Sequence, residues 1–284
     1  MSNRQTVAIA PPPEVLPPAV LSAIKTGDLK SLKSAKHSTI QHVADNEIAM
    51  IASEAALQGQ PEILAWCFTK GFPRPSFPFS DNFYASVCGG QSIPIFQLII
   101  DRYKWDLSAH ENEVLGDALV GAARDGNVAL AKFLLENGMS PNLDRTCNEE
   151  TAIIWAVARD NSSLEIVKLM LDHGLHRHGT GAAIAAAEVE NMEALALLLD
   201  NEFDIEEVTA WWGMWPDDES YGYDTRGTAL YRACRAGKEQ AARYLLGRGA
   251  NPRAKDQEGT SCLDIARARM HENIVTLLEE RLSI

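Results

Sequence analysis

The chain has 284 residues, 46% hydrophobic and 23% charged, a composition that folds and that excludes wholesale disorder. Its formal charge of −13 and its pI near 5.0 make a surface that repels phosphate backbones and anionic lipid, so nucleic acid is not an expected partner. No stretch reaches the roughly 18 consecutive apolar residues that would cross a bilayer, so no membrane-embedded body is expected.

The first residues, MSNRQTVAIAPPPEVLPP, carry five prolines and no basic end followed by an apolar core. They read as a disordered tail over residues 1–12 rather than a secretory signal, and the expected location is inside the cell, cytoplasmic or nuclear. From residue 13 to 284 one domain is expected, built on a recurring course of short helix, turn, longer helix. PAVLSAIKTGDLKSLKSA (18–35) has Gly27 and Leu32 and caps the stack. Toward this end the copies decay: IASEAALQGQPEILAWCFTKGF (51–72) keeps Ala55, Ala56, Gly59, Glu62, Ile63, Leu64 and Gly71, and NFYASVCGGQSIPIFQLIIDRYKWD (82–106) keeps only the rhythm. DALVGAARDGNVALAKFLLENGMSPN (117–142) is a good copy, and TAIIWAVARDNSSLEIVKLMLDHGL (151–175) is lengthened at Asn161-Ser162-Ser163. GAAIAAAEVENMEALALLLDNEFD (181–204) has Glu190 where its neighbours have a turn glycine and Glu202 where they have a terminal one. RGTALYRACRAGKEQAARYLLGRGAN (226–251) and, about 33 residues later, EGTSCLDIARARMHENIVTLLEERL (258–282) follow each other letter by letter.

Each position has a physical reason. A Thr before the first helix caps free backbone N–H groups, Gly237 turns the chain between helices, and Gly249 ends the second helix where a left-handed residue is cheapest. Small Ala233 and Cys234 let neighbouring helices approach. On Gly227, Thr228, Leu230, Ala233, Gly237, Leu245, Leu246, Gly249 and Ala250 the segment resembles the ankyrin repeat. That resemblance implies an all-α solenoid of about seven to eight helix-turn-helix repeats, in which neighbours together bury a core that no single repeat could. It also implies an adaptor that binds protein partners on a concave face of first helices.

At the position of the first helix that the resemblance turns toward that face stand Gly121, Trp155, Ala185 and Arg232, a tryptophan beside small residues. The clearest departure from the pattern is an insertion at about 206–225. About 15 more residues separate Glu202 from Thr228 than separate Gly249 from Thr260. It holds Trp211, Trp212, Met214, Trp215, Tyr221 and Tyr223, rings that must pack on the repeats or meet a ligand because leaving them in water costs a few kcal/mol each. Residues 200–225 include nine acids and no Lys or Arg. If these are not paired within the chain, they favour a basic peptide, an amine or a cation, with the tryptophans adding cation-π attraction.

Catalytic signatures such as G-x-S-x-G, G-x-x-x-x-G-K-[ST] and H-E-x-x-H are missing, and no cofactor is expected. Cys67, Cys88, Cys147, Cys234 and Cys262 form no C-x-x-C pair and read as reduced core thiols; neither a disulfide framework nor a metal site is expected. An alternative keeps an enzyme in view: an isomerase, dehydratase or cyclase, or a binder of a hydrophobic small molecule, with the insertion closing a pocket. His176, His178, Asp217, Asp218 and Glu219 are then the candidate acids and bases. His173, next to the terminal glycine Gly174, is expected to interact with the last carbonyls of its helix.

Overall fold

The computed structural model describes residues 15–37, 45–72, 81–103, 118–142, 151–158, 162–208 and 227–283. Among them lie sixteen α-helices and no strand, apart from an isolated antiparallel bridge between Lys255 and Ser261. The chain divides into two compact units, residues 1–106 and 107–284. The tail expected over residues 1–12 and residues 209–225 of the insertion lie outside the described residues.

The first unit holds three helix pairs: α1 (Pro18–Thr26) with α2 (Leu29–His37), α3 (Asp45–Leu57) with α4 (Pro61–Thr69), and α5 (Asp81–Gly90) with α6 (Ile93–Tyr103). First helices α1, α3 and α5 pack in a row, and α4 packs on α6. The segment that keeps only the rhythm in sequence still forms two helices, α5 against α3 and α6 against α4. Its apolar residues Phe83, Val87, Ile95, Phe96 and Ile99 are all buried, and Phe72 and Phe83 meet edge to face at 5.0 Å.

The second unit has five pairs. They are α7 (Ala118–Arg124) with α8 (Val128–Glu136), α9 (Ala152–Ala158) with α10 (Leu164–Asp172), α11 (Ala182–Val189) with α12 (Met192–Asp200), α13 (Ala229–Ala236) with α14 (Glu239–Gly247), and α15 (Cys262–Ala268) with α16 (Glu272–Leu282). Odd-numbered helices pack on one another in order, as do the even-numbered ones, giving a layer of first helices and a layer of second helices. The layers differ in how much of each helix they bury. In the second helices an i, i+1, i+4, i+5 stripe goes inward, Leu130-Ala131-Leu134-Leu135 in α8 and Ala241-Ala242-Leu245-Leu246 in α14. In the first helices α7, α9, α11 and α13 most positions are buried, Ala118 to Ala123 in α7, and small side chains let the backbones close up.

Helix starts follow the local chemistry. Asn127, Ser163 and Asn191 accept N–H bonds from Leu130, Ile166 and Ala194 at the starts of α8, α10 and α12. Thr228 does the same for Tyr231 in α13, as the sequence predicts, and Ser261 and Asp264 close a capping box on α15. The turn between paired helices is left-handed at Gly237 (φ 71°), and it stays left-handed where no glycine is present: Glu190 (60°), Met270 (59°) and Gln91 (46°). Glu202, standing for the terminal glycine, has φ 66° against 95° at Gly249.

The inter-repeat finger at residues 250–261 is fully described. Asp256 is buried and accepts N–H bonds from Glu258 and Thr260 on Oδ1, while its Oδ2 receives the Tyr231 hydroxyl of α13 at 2.8 Å. The finger is thereby knotted to the first-helix layer by a single carboxylate.

Candidate partner-binding face

The repeat register places Gly121, Trp155, Ala185 and Arg232 at the same position of α7, α9, α11 and α13, which are neighbours in the first-helix layer. Their exposures differ. Gly121 is buried, while Trp155 and Ala185 are partly exposed on adjacent helices. Arg232 is 5% exposed, and its Nη2 donates to Glu188 Oε2 of α11 at 2.5 Å. The Glu188 side chain keeps 29% of its surface in solvent. The charged group that reaches solvent here is therefore a carboxylate that the sequence reading did not single out, and Arg232 is the buried cation that orients it.

Next to this row, residues 200–208 account for the first part of the acidic stretch. Asp200 is paired with Arg248 of α14 at 2.8 Å. Glu206 Oε1 accepts the Asn251 N–H at 2.6 Å, and Glu207, 9% exposed, accepts the Gly181 N–H at 2.9 Å. These three acids hold neighbouring connections of their own chain, so the described half of the stretch works as internal fastening. Asp217, Asp218 and Glu219, with Trp211, Trp212, Trp215, Tyr221 and Tyr223, lie outside the described residues.

The histidines separate by role. His173 Nδ1 donates to the Leu169 carbonyl at 2.8 Å at the end of α10, as expected for a helix terminus. His176 and His178 are exposed on the following connection, where the His176 N–H donates to Asn142 Oδ1 at 2.6 Å. Asn142 also donates from Nδ2 to the Gly174 carbonyl at 2.8 Å, tying successive connections together. The described contacts place neither imidazole against an acid or in an enclosed pocket.

Several fastening residues of this kind carry no local motif. Asn191 caps α12 and donates from Nδ2 to Val157 O of the previous repeat, and Arg177 Nε donates to Asn201 O. Cys67, Cys88, Cys234 and Cys262 are buried, and Cys147 lies outside the described residues. The neighbouring Cys262 thiol and burial push the Cys234 thiol far above the ordinary thiol range, so no thiolate is available there. Among the described residues no cluster of three or more His, Cys, Asp or Glu side chains is placed to hold a metal ion, and no helix is long and apolar enough to cross a membrane.

Comparison with known proteins agrees with this register. A model of three ankyrin repeats matches residues 83–176 and 119–209, and a single-repeat model matches 227–257. Over 58 residues the chain is 41% identical to a probable E3 ubiquitin-protein ligase, XBOS34, of Oryza sativa subsp. japonica; the match covers 20% of this chain and 11% of that protein. The stacked helix pairs, the left-handed turns and these matches have one reading: the chain belongs to the ankyrin-repeat family.

Proposed function

We propose that this chain is a binding module that recognises a protein or peptide partner through the first-helix face of its second unit, with the aromatic insertion at 206–225 as the adjoining half of the site. One observation carries the reading: the partly exposed Trp155 next to Ala185, in the same layer as a carboxylate, Glu188, held by buried Arg232. A tryptophan beside a small residue on packed helices is a rigid apolar foothold, and tryptophan is among the side chains that dominate binding energy in interfaces. The pair next to it is already desolvated on its arginine side, so a partner that meets Glu188 encounters a fixed charge whose ordering cost was met in folding.

Fold alone does not assign function, and the general role of ankyrin repeats in protein–protein interaction is the coarse part of the reading. The partner's chemistry is the finer part. Glu188 and the acids of the insertion's second half, Asp217, Asp218, Glu219 and Asp224, favour a segment with basic residues next to an apolar one. The stretch shared with the rice ligase, shorter than two repeat lengths, fits a module that positions a protein partner.

The test is capture of partners from a lysate of the source cells on immobilised full chain, compared with Trp155→Ala and with the double variant Trp211→Ala/Trp212→Ala. The expected result is a set of proteins retained by the wild type and lost from both variants while their far-ultraviolet circular dichroism stays helical. Retention of the same proteins in the same amounts by all three chains overturns the proposal.

A further inference from the structure

The boundary between the α11–α12 repeat and the α13–α14 repeat differs from the other boundaries of the second unit in three ways. The chain that crosses it is the longest connection there. From the end of α12 at Asp200 to the start of α13 at Ala229 there are 28 intervening residues, against 15 and 9 at the two earlier boundaries and 14 at the later one. A long connection holds its ends together least, because the entropy of closing it grows with length.

The ties across this boundary also carry charge. Among the described residues both ion pairs that join different repeats lie here, Glu188 with Arg232 and Asp200 with Arg248, and Glu206 accepts the Asn251 N–H at 2.6 Å. Each acceptor is a carboxylate from residues 188–206, and each donor belongs to residues 232–251. Glu190 reaches across as well, but onto the first N–H groups of α14, where it caps that helix. The other boundaries are tied mainly through amides and carbonyls, as by Asn142 to Gly174 and Asn191 to Val157. The third difference is in packing. Beside the charged ties an open groove of about 540 Å³, lined by Met192 of α12 and by Gln240, Tyr244 and Gly247 of α14, leaves the contact between the second helices incomplete.

We infer that residues 227–283 part from the preceding repeats as one block at this boundary, with the carboxylates of Glu188, Asp200 and Glu206 as the clamp that holds them closed. Within the block, α13 and α15 stay together, since buried Asp256 takes the Tyr231 hydroxyl at 2.8 Å and Cys234 and Cys262 are both fully buried. Two repeats bury too little core to remain helical alone, so parting opens the backbone of α13 to α16 together. The clamp is within reach of solvent: the Asp200 side chain keeps 66% of its surface exposed, where competing water and ions weaken an ion pair. Parting also separates Glu188 from Arg232, and it occurs in the free chain, with no partner bound.

Hydrogen exchange of the full chain, read by mass spectrometry at urea concentrations below the unfolding transition, tests the inference on the wild type, Asp200→Ala and Asp200→Ala/Glu206→Ala. In the wild type the amides of α13 to α16 are expected to share one opening, easier than that of α7 to α10. Exchange through all four helices is expected to speed about threefold in Asp200→Ala and about tenfold in the double variant, with α7 to α10 at wild-type rates. Unchanged exchange, acceleration confined to α14 or to the Asn251 amide, or equal acceleration from α7 to α16 overturns the proposal. Opening of α15 and α16 ahead of α13 and α14 in the wild type overturns it too. Asp200 is an exposed helix-end residue that alanine replaces without leaving a cavity, so the single variant decides the matter if the double variant does not fold.

Discussion

The turn that joins α11 to α12 and the turn that joins α13 to α14 occupy the same place in successive repeats and solve the same problem differently. Both backbones are left-handed, at Glu190 with φ 60° and at Gly237 with φ 71°. Glycine takes that conformation freely, and glutamate is held there at a cost of roughly 1 kcal/mol. What glutamate adds is reach. Its Oε1 accepts the N–H groups of Gln240 at 2.9 Å and Ala241 at 3.4 Å, the start of α14, whose own N-cap residue Lys238 does not cap it with its side chain. What glycine adds is space: a Cβ on Gly237 would stand 2.7 Å from Cε1 of His271, whose Nε2 donates to the Arg235 carbonyl at 3.1 Å. The turn position is therefore a joint between repeats, closed forward by a carboxylate in one case and from the following repeat by an imidazole in the other.

Exchanging the two solutions gives the largest expected effect. Gly237→Glu forces a Cβ into the His271 ring and displaces its bond to Arg235, so the chain is expected to lose about 3 kcal/mol in urea unfolding. A loss near zero would mean that His271 is not part of the joint. Arg232→Ala comes next. It strands Glu188 beside a cavity, and a loss of about 2 kcal/mol is expected, less than for a fully buried pair because Glu188 is partly solvated. The double variant Arg232→Met/Glu188→Leu is expected to recover most of that loss. Glu190→Ala keeps the left-handed strain and removes the acceptor at α14, a loss of about 1 kcal/mol; Glu190→Gly regains part of it by relieving the strain. Hydrogen exchange at Gln240 and Ala241 checks that the loss is local.

The smallest effect is electrostatic. The Ser261 hydroxyl and then its N–H, both donating to Asp264, hold that carboxyl below its usual pKa. A depressed folded pKa contributes stability that is present above the unfolded value near 4 and is lost as pH falls through the folded one. The Tm difference between the wild type and Asp264→Asn is therefore expected to be visible at neutral pH and to shrink as the pH falls below the unfolded value. A constant difference across that range would assign the effect to packing.

These joints also mark what the sequence could and could not disclose. The period, the Leu-Leu pairs and the terminal glycines announce helix pairs because they act within one repeat, and Glu190 and Glu202 stand out as substitutes at glycine positions. Even the pair α5 and α6, which keeps few of the letters, folds because the rhythm of apolar residues outlasts the motif. The ties from Asn191 to Val157, from Asn142 to Gly174 and from Glu190 to Gln240 connect residues 32 to 50 positions apart, and only the stacked register brings them together. Arg232 illustrates the same limit at the candidate site. Its position in the motif points to an open face, but a glutamate 44 residues earlier draws it inward, so the carboxylate and not the guanidinium meets solvent.

Whether the first-helix layer of the second unit binds a protein partner can be read from hydrogen–deuterium exchange of the full chain, alone and with a captured partner. The predicted result is slowed exchange in the connections that flank α9, α11 and α13 and in the segment 206–225, together with restored fast exchange when Trp155 is replaced by Ala. Protection confined to α10, α12 and α14, with the first-helix segments unchanged, would contradict it.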